Sequence, residues 1–336
     1  MSIARRGEPM PLRHWSSAGI IMTYWCPAQC ACCYLSCGPA APGPEMSVEF
    51  ALALWESLQS ASPHGCRVHL TGGEPFGDWP RLIEVCRRAR SQGLGPLQKV
   101  ETNGYWATDD ARTRQRLREL SAAGMQRLAI SCDPYHQRFV PLDRVRRLAE
   151  LAEATLGPAA VQVRWRDWLA DGCDTADLSQ QHFDSLLRRY LPLGRERLCG
   201  RGADLWDLVE PKKGPQLADE SCRAPLLRSR HVHVDGDGVV MPGTCAGISL
   251  GRFVPGRVSI AGLWRQLELD HASRPVLGAL VAGGPRRLAA MAAVGEGPAP
   301  RPTGGCSLCW LARRQLAAAG SPGCGGELSP DWMYQR

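Results

Sequence analysis

Five cysteines fall within fifteen residues of the chain, in the stretch YWCPAQCACCYLSCG from Tyr24 to Gly38. Three of them, Cys26, Cys30 and Cys33, have the spacing C-x3-C-x2-C. Three thiolates on one loop, with no fourth at regular spacing, suit a four-iron cluster with one iron left free, because iron–sulfur clusters select soft thiolate ligands. Zinc normally takes two pairs, and a redox motif needs only the C-x-x-C that Cys30 and Cys33 also provide. A second set comprises Cys222 and Cys245, which flank a hairpin-like segment, and the C-x-x-C of Cys306 and Cys309. Four soft ligands in two pairs suit either zinc or a fully ligated four-iron cluster, and spacing alone does not choose between them. Cys324 is a further candidate for a place in that set.

The composition sets the frame for this chemistry. A chain of 336 residues, 44% hydrophobic and 22% charged, can bury one large core and a smaller one. The apolar run from Ala18 to Trp25 is too short to span a bilayer and has no small-residue cleavage site, so neither anchor nor signal peptide is expected. The expected location is the cytoplasm, where thiols stay reduced. Fifteen cysteines there point to metal binding rather than disulfides. The net charge is +7, and all but three of the 40 basic residues are arginine. Runs such as RTRQRLR (Arg112 to Arg118) have the spacing of a solvated helix face. Aromatics are not interleaved with them, so nucleic-acid binding is not expected. An acidic electron donor fits the charge balance better.

The elements that must position the cysteines alternate between short β-like runs and amphipathic helical ones. GIIMTYW, RVHLTG, LQKVETNG, MQRLAISCD and AAVQVRWR read as strands. Helical patterns lie between them, one opened by a Ser47 cap and another closed by Gly124. After a helix near Ser179 to Tyr190, RERLCGRGA reads as a sixth strand. Repeated βα units imply a parallel sheet with right-handed crossovers. Chemically distinctive residues stand at the successive strand ends: Cys26, Gly72, Thr102, Ser131, Arg164 and Cys199, at steps of 29 to 46 residues. Ligands bind at the carboxyl ends of parallel strands, so these positions converge on one mouth. Beyond about residue 205 the pattern changes. HVHVDGDGVVM is an alternating hairpin turning at Asp235 to Gly238, and Ala289 to Gly305 is a Pro/Gly-rich connector.

The sequence here resembles the radical S-adenosylmethionine (SAM) superfamily. The resemblance rests on C-P-A-Q-C-A-C-C from Cys26 to Cys33 after the first strand, TGGEP (Thr71 to Pro75) after the second, ETNG (Glu101 to Gly104) after the third and SCDPYHQ (Ser131 to Gln137) after the fourth. It covers roughly residues 18 to 200. The expected fold is α/β, a partial (β/α)6 parallel barrel with a small C-terminal β-hairpin/helix domain. The expected organisation is an N-terminal extension over 1–17, the barrel over 18–205 and the small domain over 206–336. The resemblance implies that Cys26, Cys30 and Cys33 hold three irons while S-adenosylmethionine (AdoMet) chelates the fourth. Cys32 departs from the pattern, standing where an aromatic is usual, and is expected to pack; Cys37 is unassigned.

Other site residues follow from the same frame. Gly72 and Gly73 allow close backbone approach, and Glu74 or strand-end carbonyls can accept from the AdoMet ammonium. Asn103 and Ser131 are candidates for ribose or carboxylate contacts, and Arg164 for a bidentate carboxylate pair. Tyr135 and His136 lie with Asp133 where a substrate would sit, and Cys132 and Cys199 are candidate hydrogen donors. The order of hairpin pair and C-x-x-C looks like a Twitch domain, related to SPASM. It implies that Cys222, Cys245, Cys306 and Cys309 hold an auxiliary [4Fe–4S] cluster. The resemblance implies reductive cleavage of AdoMet to a 5′-deoxyadenosyl radical that abstracts hydrogen from a substrate. That substrate is first of all a ribosomally made peptide, to be crosslinked, oxidised or epimerised. With only about eighteen residues before the first strand, a separate protein is the expected leader-peptide binder, and a flavodoxin or ferredoxin the expected electron donor. Two alternatives are a small-molecule dehydrogenase acting on an aminosugar or alcohol, and a zinc-stapled interaction protein without enzymatic activity.

Overall fold

The computed structural model describes residues 14–194, 196–197, 199–208, 221–293 and 304–335. Five βα units open the chain: β1 (Ser17–Ile21), α1 (Val48–Ala61), β2 (Arg67–Thr71), α2 (Trp79–Ser91), β3 (Leu97–Thr102), α3 (Asp110–Ala122), β4 (Leu128–Ile130), α4 (Leu142–Leu156), β5 (Val161–Val163) and α5 (Arg166–Asp171). They pair in parallel in the order β5-β4-β3-β2-β1. The helices α1 to α4 each bury an apolar stripe. α1 starts at Ser47, whose hydroxyl accepts from the Phe50 amide at 3.2 Å, and buries Ala51, Leu54, Trp55 and Leu58, one face at helical spacing. α3 buries Thr113, Leu117 and Leu120 and leaves Arg112 and Arg118 in solvent, as expected for the RTRQRLR run.

The sixth parallel strand comes from a different place than the sequence suggested. After α6 (Gln180–Tyr190), the RERLCGRGA segment forms no strand among its described residues; Gly200–Leu208 is a 3-10 helix. Its backbone is committed to the cysteine loop. The Arg201 amide donates to the Cys33 carbonyl at 3.2 Å, and Gly200, at φ +60°, sits so close to the Tyr34 carbonyl that a Cβ would collide with it. Such a segment has no free edge to offer a ladder. The vacant edge of β1 is filled instead by β6 (His231–Val234), the first strand of the expected hairpin, which runs parallel to it. β7 (Val239–Pro242) and β8 (Gly251–Arg252) follow antiparallel, giving one mixed sheet of eight strands, β5-β4-β3-β2-β1-β6-β7-β8.

The hairpin turn follows its sequence. The Asp235 carboxylate accepts from the Asp237 and Val239 amides at 3.1 and 2.9 Å, and Gly238 takes φ +78°. The Tyr24 hydroxyl donates to the other Asp235 oxygen at 3.1 Å, tying the exit of β1 to the turn. The C-terminal region adds α7 (Arg223–Leu227), α8 (Ile260–Asp270), α9 (Pro275–Met291) and α10 (Gly305–Ala318). The Glu327 carboxylate accepts from the Val276 and Leu277 amides at the start of α9. The Pro/Gly-rich connector begins inside α9, and residues 294–303 of it lie outside the described residues. No helix among the described residues is long and apolar enough to cross a membrane.

The Tyr24–Asp235 bond is fully buried, so its loss strands an acceptor away from water. Tyr24→Phe is expected to lower unfolding free energy by about 1–3 kcal/mol, read from urea denaturation under anaerobic conditions; an unchanged midpoint would show that the hairpin is held without it.

Candidate functional site

The cysteine loop begins where β1 ends and is closed at its base by its own backbone. The Cys26 amide donates to the Gly38 carbonyl, and the Gly38 amide to the Tyr24 carbonyl, both at 3.2 Å. The TGGEP turn after β2 docks directly on this base. The Gly73 amide donates to the Thr23 carbonyl at 2.7 Å and the Glu74 amide to the Trp25 carbonyl at 2.8 Å. Contact is so close that a Cβ on Gly72 would run into the Thr23 carbonyl and one on Gly73 into the Trp25 carbonyl. Gly72 also stands at φ +135°, a conformation that favours glycine. The close backbone approach expected of this pair is therefore made to the chain itself.

Glu74 is fully buried and its oxygens serve the next strand end. One accepts from the Thr102 hydroxyl at 2.9 Å and the Phe76 amide at 3.2 Å; the other accepts from the Asn103 amide at 2.7 Å. Burial pushes its carboxyl up to about 7 against these hydrogen bonds. Asn103, so fixed, donates its side-chain amide to Cys26 Sγ at 3.4 Å. The next strand ends are laced in turn: the Ser131 amide donates to the Thr102 carbonyl at 2.8 Å, and the Arg164 amide to the Ile130 carbonyl at 3.0 Å.

A cavity of about 560 Å³ opens over these strand ends and runs down the barrel interior. Cys26, Cys30, Cys33, Gly72, Gly73, Asn103, Ser131, His136 and Arg164 all line it. Burial pushes the Cys26 thiol up to about 12 and raises Cys30 as well. Cys33 moves the other way, lowered by hydrogen bonding from Cys37, whose amide donates to its sulfur at 3.4 Å, and by Arg201. Arg201 holds the loop from outside, donating from Nε to the Cys30 carbonyl at 3.0 Å and from Nη2 to the Cys37 carbonyl. Three soft thiols on one braced loop, all facing the same cavity, match the donor set of an iron–sulfur cluster with an open corner. Loading it would displace the protons that burial keeps on Cys26 and Cys30.

Asp133 gathers the fourth strand end. Its carboxylate accepts from the Tyr135 and His136 amides at 3.0 Å, from His136 Nδ1 at 2.8 Å and from Arg164 Nη1 at 3.3 Å. Burial alone would raise this carboxyl, but His136 and Arg164 hold it below its ordinary value. His136 thus reaches the cavity with its ring oriented by Asp133. Cys32 is buried, as expected of a packing residue, and also borders the cavity. Its sulfur lies within 4.8 Å of ligand atoms of Asp133 and His136.

Four expected site residues are not among those that line the cavity. Glu74 accepts from the strand ends. Cys132, next to cavity-lining Ser131, is fully buried and does not line the cavity; burial, with Asp133 adding to it, pushes its thiol up to about 12. Tyr135 packs edge-on against Phe183 of α6. Cys199 is buried beside the second cysteine set, influenced by Arg313, Cys245 and Cys306. The second cysteine set is spread over three elements. Cys222 begins α7 and donates its amide to the Leu280 carbonyl of α9 at 2.9 Å. Cys245 follows β7, and Cys306 and Cys309 lie in the first turn of α10. The charges of Cys222, Cys245, Cys306 and Cys309 act on one another, with burial the larger cause of their raised values where one is found. Arg313, one turn after Cys309, is buried among them and donates to the Ala246 carbonyl at 2.7 Å. Burial raises the Cys324 thiol, with Glu327 adding to the shift.

Sequence reasoning did not single out the lower half of the cavity. His69, Lys99, Glu101, Arg197, His231 and His233 line it. Lys99 Nζ stands 2.5 Å from Glu101, and the Thr71 hydroxyl donates to Glu101 at 2.6 Å. Burial opposes its charge, but His69 and Lys99 hold Glu101 down to about 2. Burial lowers His69 to about 4 and His231 to about 3, and holds His233 well below its ordinary value. The available signal was the HVHV alternation, which puts two histidines on one strand face.

No family model and no curated protein matches the chain. Among solved structures, it shares its fold with BtrN in complex with AdoMet and 2-DOIA: TM-score 0.51, 16% identity, covering 82% of this chain and 90% of that one. Native anSMEcpe with bound AdoMet and Cp18Cys peptide aligns at TM-score 0.44 and 14% identity, covering 91% of this chain and 96% of that one. Native anSMEcpe with bound AdoMet gives 0.45 and 14%, over 91% and 97%.

The Glu74 clamp has a measurable consequence. Glu74→Gln keeps the shape but leaves one oxygen where three donors need two. It is expected to cost about 1–3 kcal/mol of stability, seen as a lower denaturation midpoint, with Glu74→Ala costing more; equal stability of all three proteins would refute the clamp.

Proposed function

We propose that the chain is a radical SAM enzyme acting on a small polar molecule held in the barrel cavity. One observation carries the reading: the C-x3-C-x2-C trio, the GGEP turn and Asn103 are locked to one another at the ends of adjacent parallel strands and face one cavity. Cys26, Cys30 and Cys33 would hold a four-iron cluster. When bound, that cluster supplies the electron that cleaves AdoMet to methionine and a 5′-deoxyadenosyl radical, which takes hydrogen from the substrate. The chain's own residues orient and exclude. Asn103 hydrogen-bonds Cys26 Sγ and so sets the polarity at that sulfur. Arg164 and His136, both anchored on Asp133, present a cation and an imidazole at the mouth for a carboxylate or hydroxyl of the bound molecules. The enclosing strands keep out stray hydrogen-atom donors that would quench a radical.

The cavity volume lies in the range of sites that enclose small molecules, and its lower wall is charged and polar. These features favour the small-molecule reading over the peptide. The shared fold with BtrN, itself bound to AdoMet and 2-DOIA, is in keeping with it. Cys222 at the start of α7, Cys245 after β7, and Cys306 and Cys309 on α10 offer four soft ligands. We assign them to an auxiliary cluster, which they would hold through four thiolates and which would supply an acceptor for an electron leaving an oxidised substrate radical. An acidic flavodoxin- or ferredoxin-type protein would complement the basic surface as donor.

Anaerobic reconstitution should load about eight irons per chain, and dithionite with AdoMet should yield 5′-deoxyadenosine. Cys30→Ala should reduce that product to background, while Cys306→Ala should lower the iron to about four and leave AdoMet cleavage in place. Iron-loaded wild-type protein that yields no 5′-deoxyadenosine would reject the proposal.

A further inference from the structure

The cavity floor holds three histidines whose placement follows from the strand order. β1 lies between β2 and β6, and the register puts His69, Gly19 and His233 at one level. The middle position is a glycine. A Cβ there would stand 2.7 Å from His69 Nε2 and collide with the His233 ring, so its absence is what lets the two flanking imidazoles lean together across β1. His231 is two residues before His233, on the same strand face, and stands level with Ser17. The three ring centroids lie 4.7 to 5.6 Å apart. One ring nitrogen from each histidine lies within 4.8 Å of the other two.

The surrounding contacts resemble the outer shell of a metal centre. Nδ1 of His231 is paired with the Ser17 hydroxyl at 3.0 Å, which leaves its Nε2 for a ligand. Nε2 of His233 lies 3.4 Å from the Tyr34 hydroxyl, leaving Nδ1. Glu101 stands 3.9 Å from His69 Nε2 and brings a carboxylate whose charge is shared with Lys99. Metal-bound imidazoles are usually oriented by hydroxyl, carbonyl or carboxylate partners of this kind. Apolar side chains would fill a barrel floor at lower desolvation cost than three imidazoles, which are tolerated when their nitrogens are satisfied.

We propose that His69, His231 and His233 form a three-histidine site for a divalent first-row metal ion, with zinc(II) the reference occupant. Zinc–nitrogen bonds of about 2.0–2.1 Å require the rings to draw inward by roughly an ångström. Three protein ligands leave a fourth position, which is the pattern of sites that bind water or substrate rather than purely structural ones. That position opens into the cavity, so the ion would take an alcohol, carbonyl or carboxylate oxygen of the bound molecule and anchor it below the strand-end mouth. None of the three ligands belongs to the cysteine loop, so the site stands independently of the radical chemistry proposed above.

The test uses the full-length, anaerobically reconstituted protein, equilibrated with zinc(II) and desalted. Elemental analysis should find about one zinc per chain beside the iron. His69→Ala and His233→Ala should each lower retained zinc by about tenfold or more with iron and 5′-deoxyadenosine formation measured separately on the same samples. Zinc X-ray absorption of the unmutated protein, which needs no variant, should show nitrogen and oxygen neighbours with imidazole outer-shell scattering. No retained zinc, a sulfur-dominated zinc spectrum, or zinc that survives both substitutions would overturn the assignment.

Discussion

Two backbone hydrogen bonds and one buried carboxylate hold the site together. Gly73 and Glu74 donate to the carbonyls of Thr23 and Trp25, and Glu74 then accepts from Thr102 and Asn103. Three consecutive strand ends are thereby fastened, the third through a carboxylate that is fully buried. Each such bond contributes only about 1 kcal/mol net, but breaking one leaves a buried group unsatisfied at a cost of about 1–3 kcal/mol. The arrangement therefore opposes any displacement of the cysteine loop from the β3 end. The two glycines follow from the same constraint, since side chains there would hold the two turns apart.

The second constraint is continuity of the sheet. Because β6 pairs with β1, the hairpin completes one wall of the cavity and the C-terminal helices are anchored to the barrel's own ladder. Tyr24 and Asp235 join the two regions again at the mouth. Donor groups thus sit at both ends of one space. Soft thiols stand at the strand exits, imidazoles stand at the floor, and the Lys99–Glu101 pair lies between β2 and β4 on the wall.

Much of this was legible in the residues. The five βα units could be read because helical stripes and strand runs alternate with capping residues such as Ser47 between them. The Cys26, Cys30, Cys33 trio could be read because its spacing is local. Failures came where long-range contact decides. The RERLCGRGA segment has strand-like composition, yet Gly200 and Arg201 give their backbone to the cysteine loop. Cys132 and Ser131 are neighbours just past the end of β4, and only the serine lines the cavity. Nothing local shows that Thr102 and Asn103 would donate to the Glu74 oxygens. The histidine floor needed the strand order itself, since His69 and His233 meet only when β6 is placed beside β1.

The central claim is that the loop at the β1 exit carries a cluster with a corner open to AdoMet. The most direct measurement is electron paramagnetic resonance of dithionite-reduced protein bearing Cys306→Ala and Cys309→Ala, so that the Cys26 loop provides the only intact ligand set proposed here. The account predicts a reduced four-iron signal whose g-values shift when AdoMet is added. A signal that AdoMet leaves unchanged, or no iron signal at all from folded protein, would contradict it.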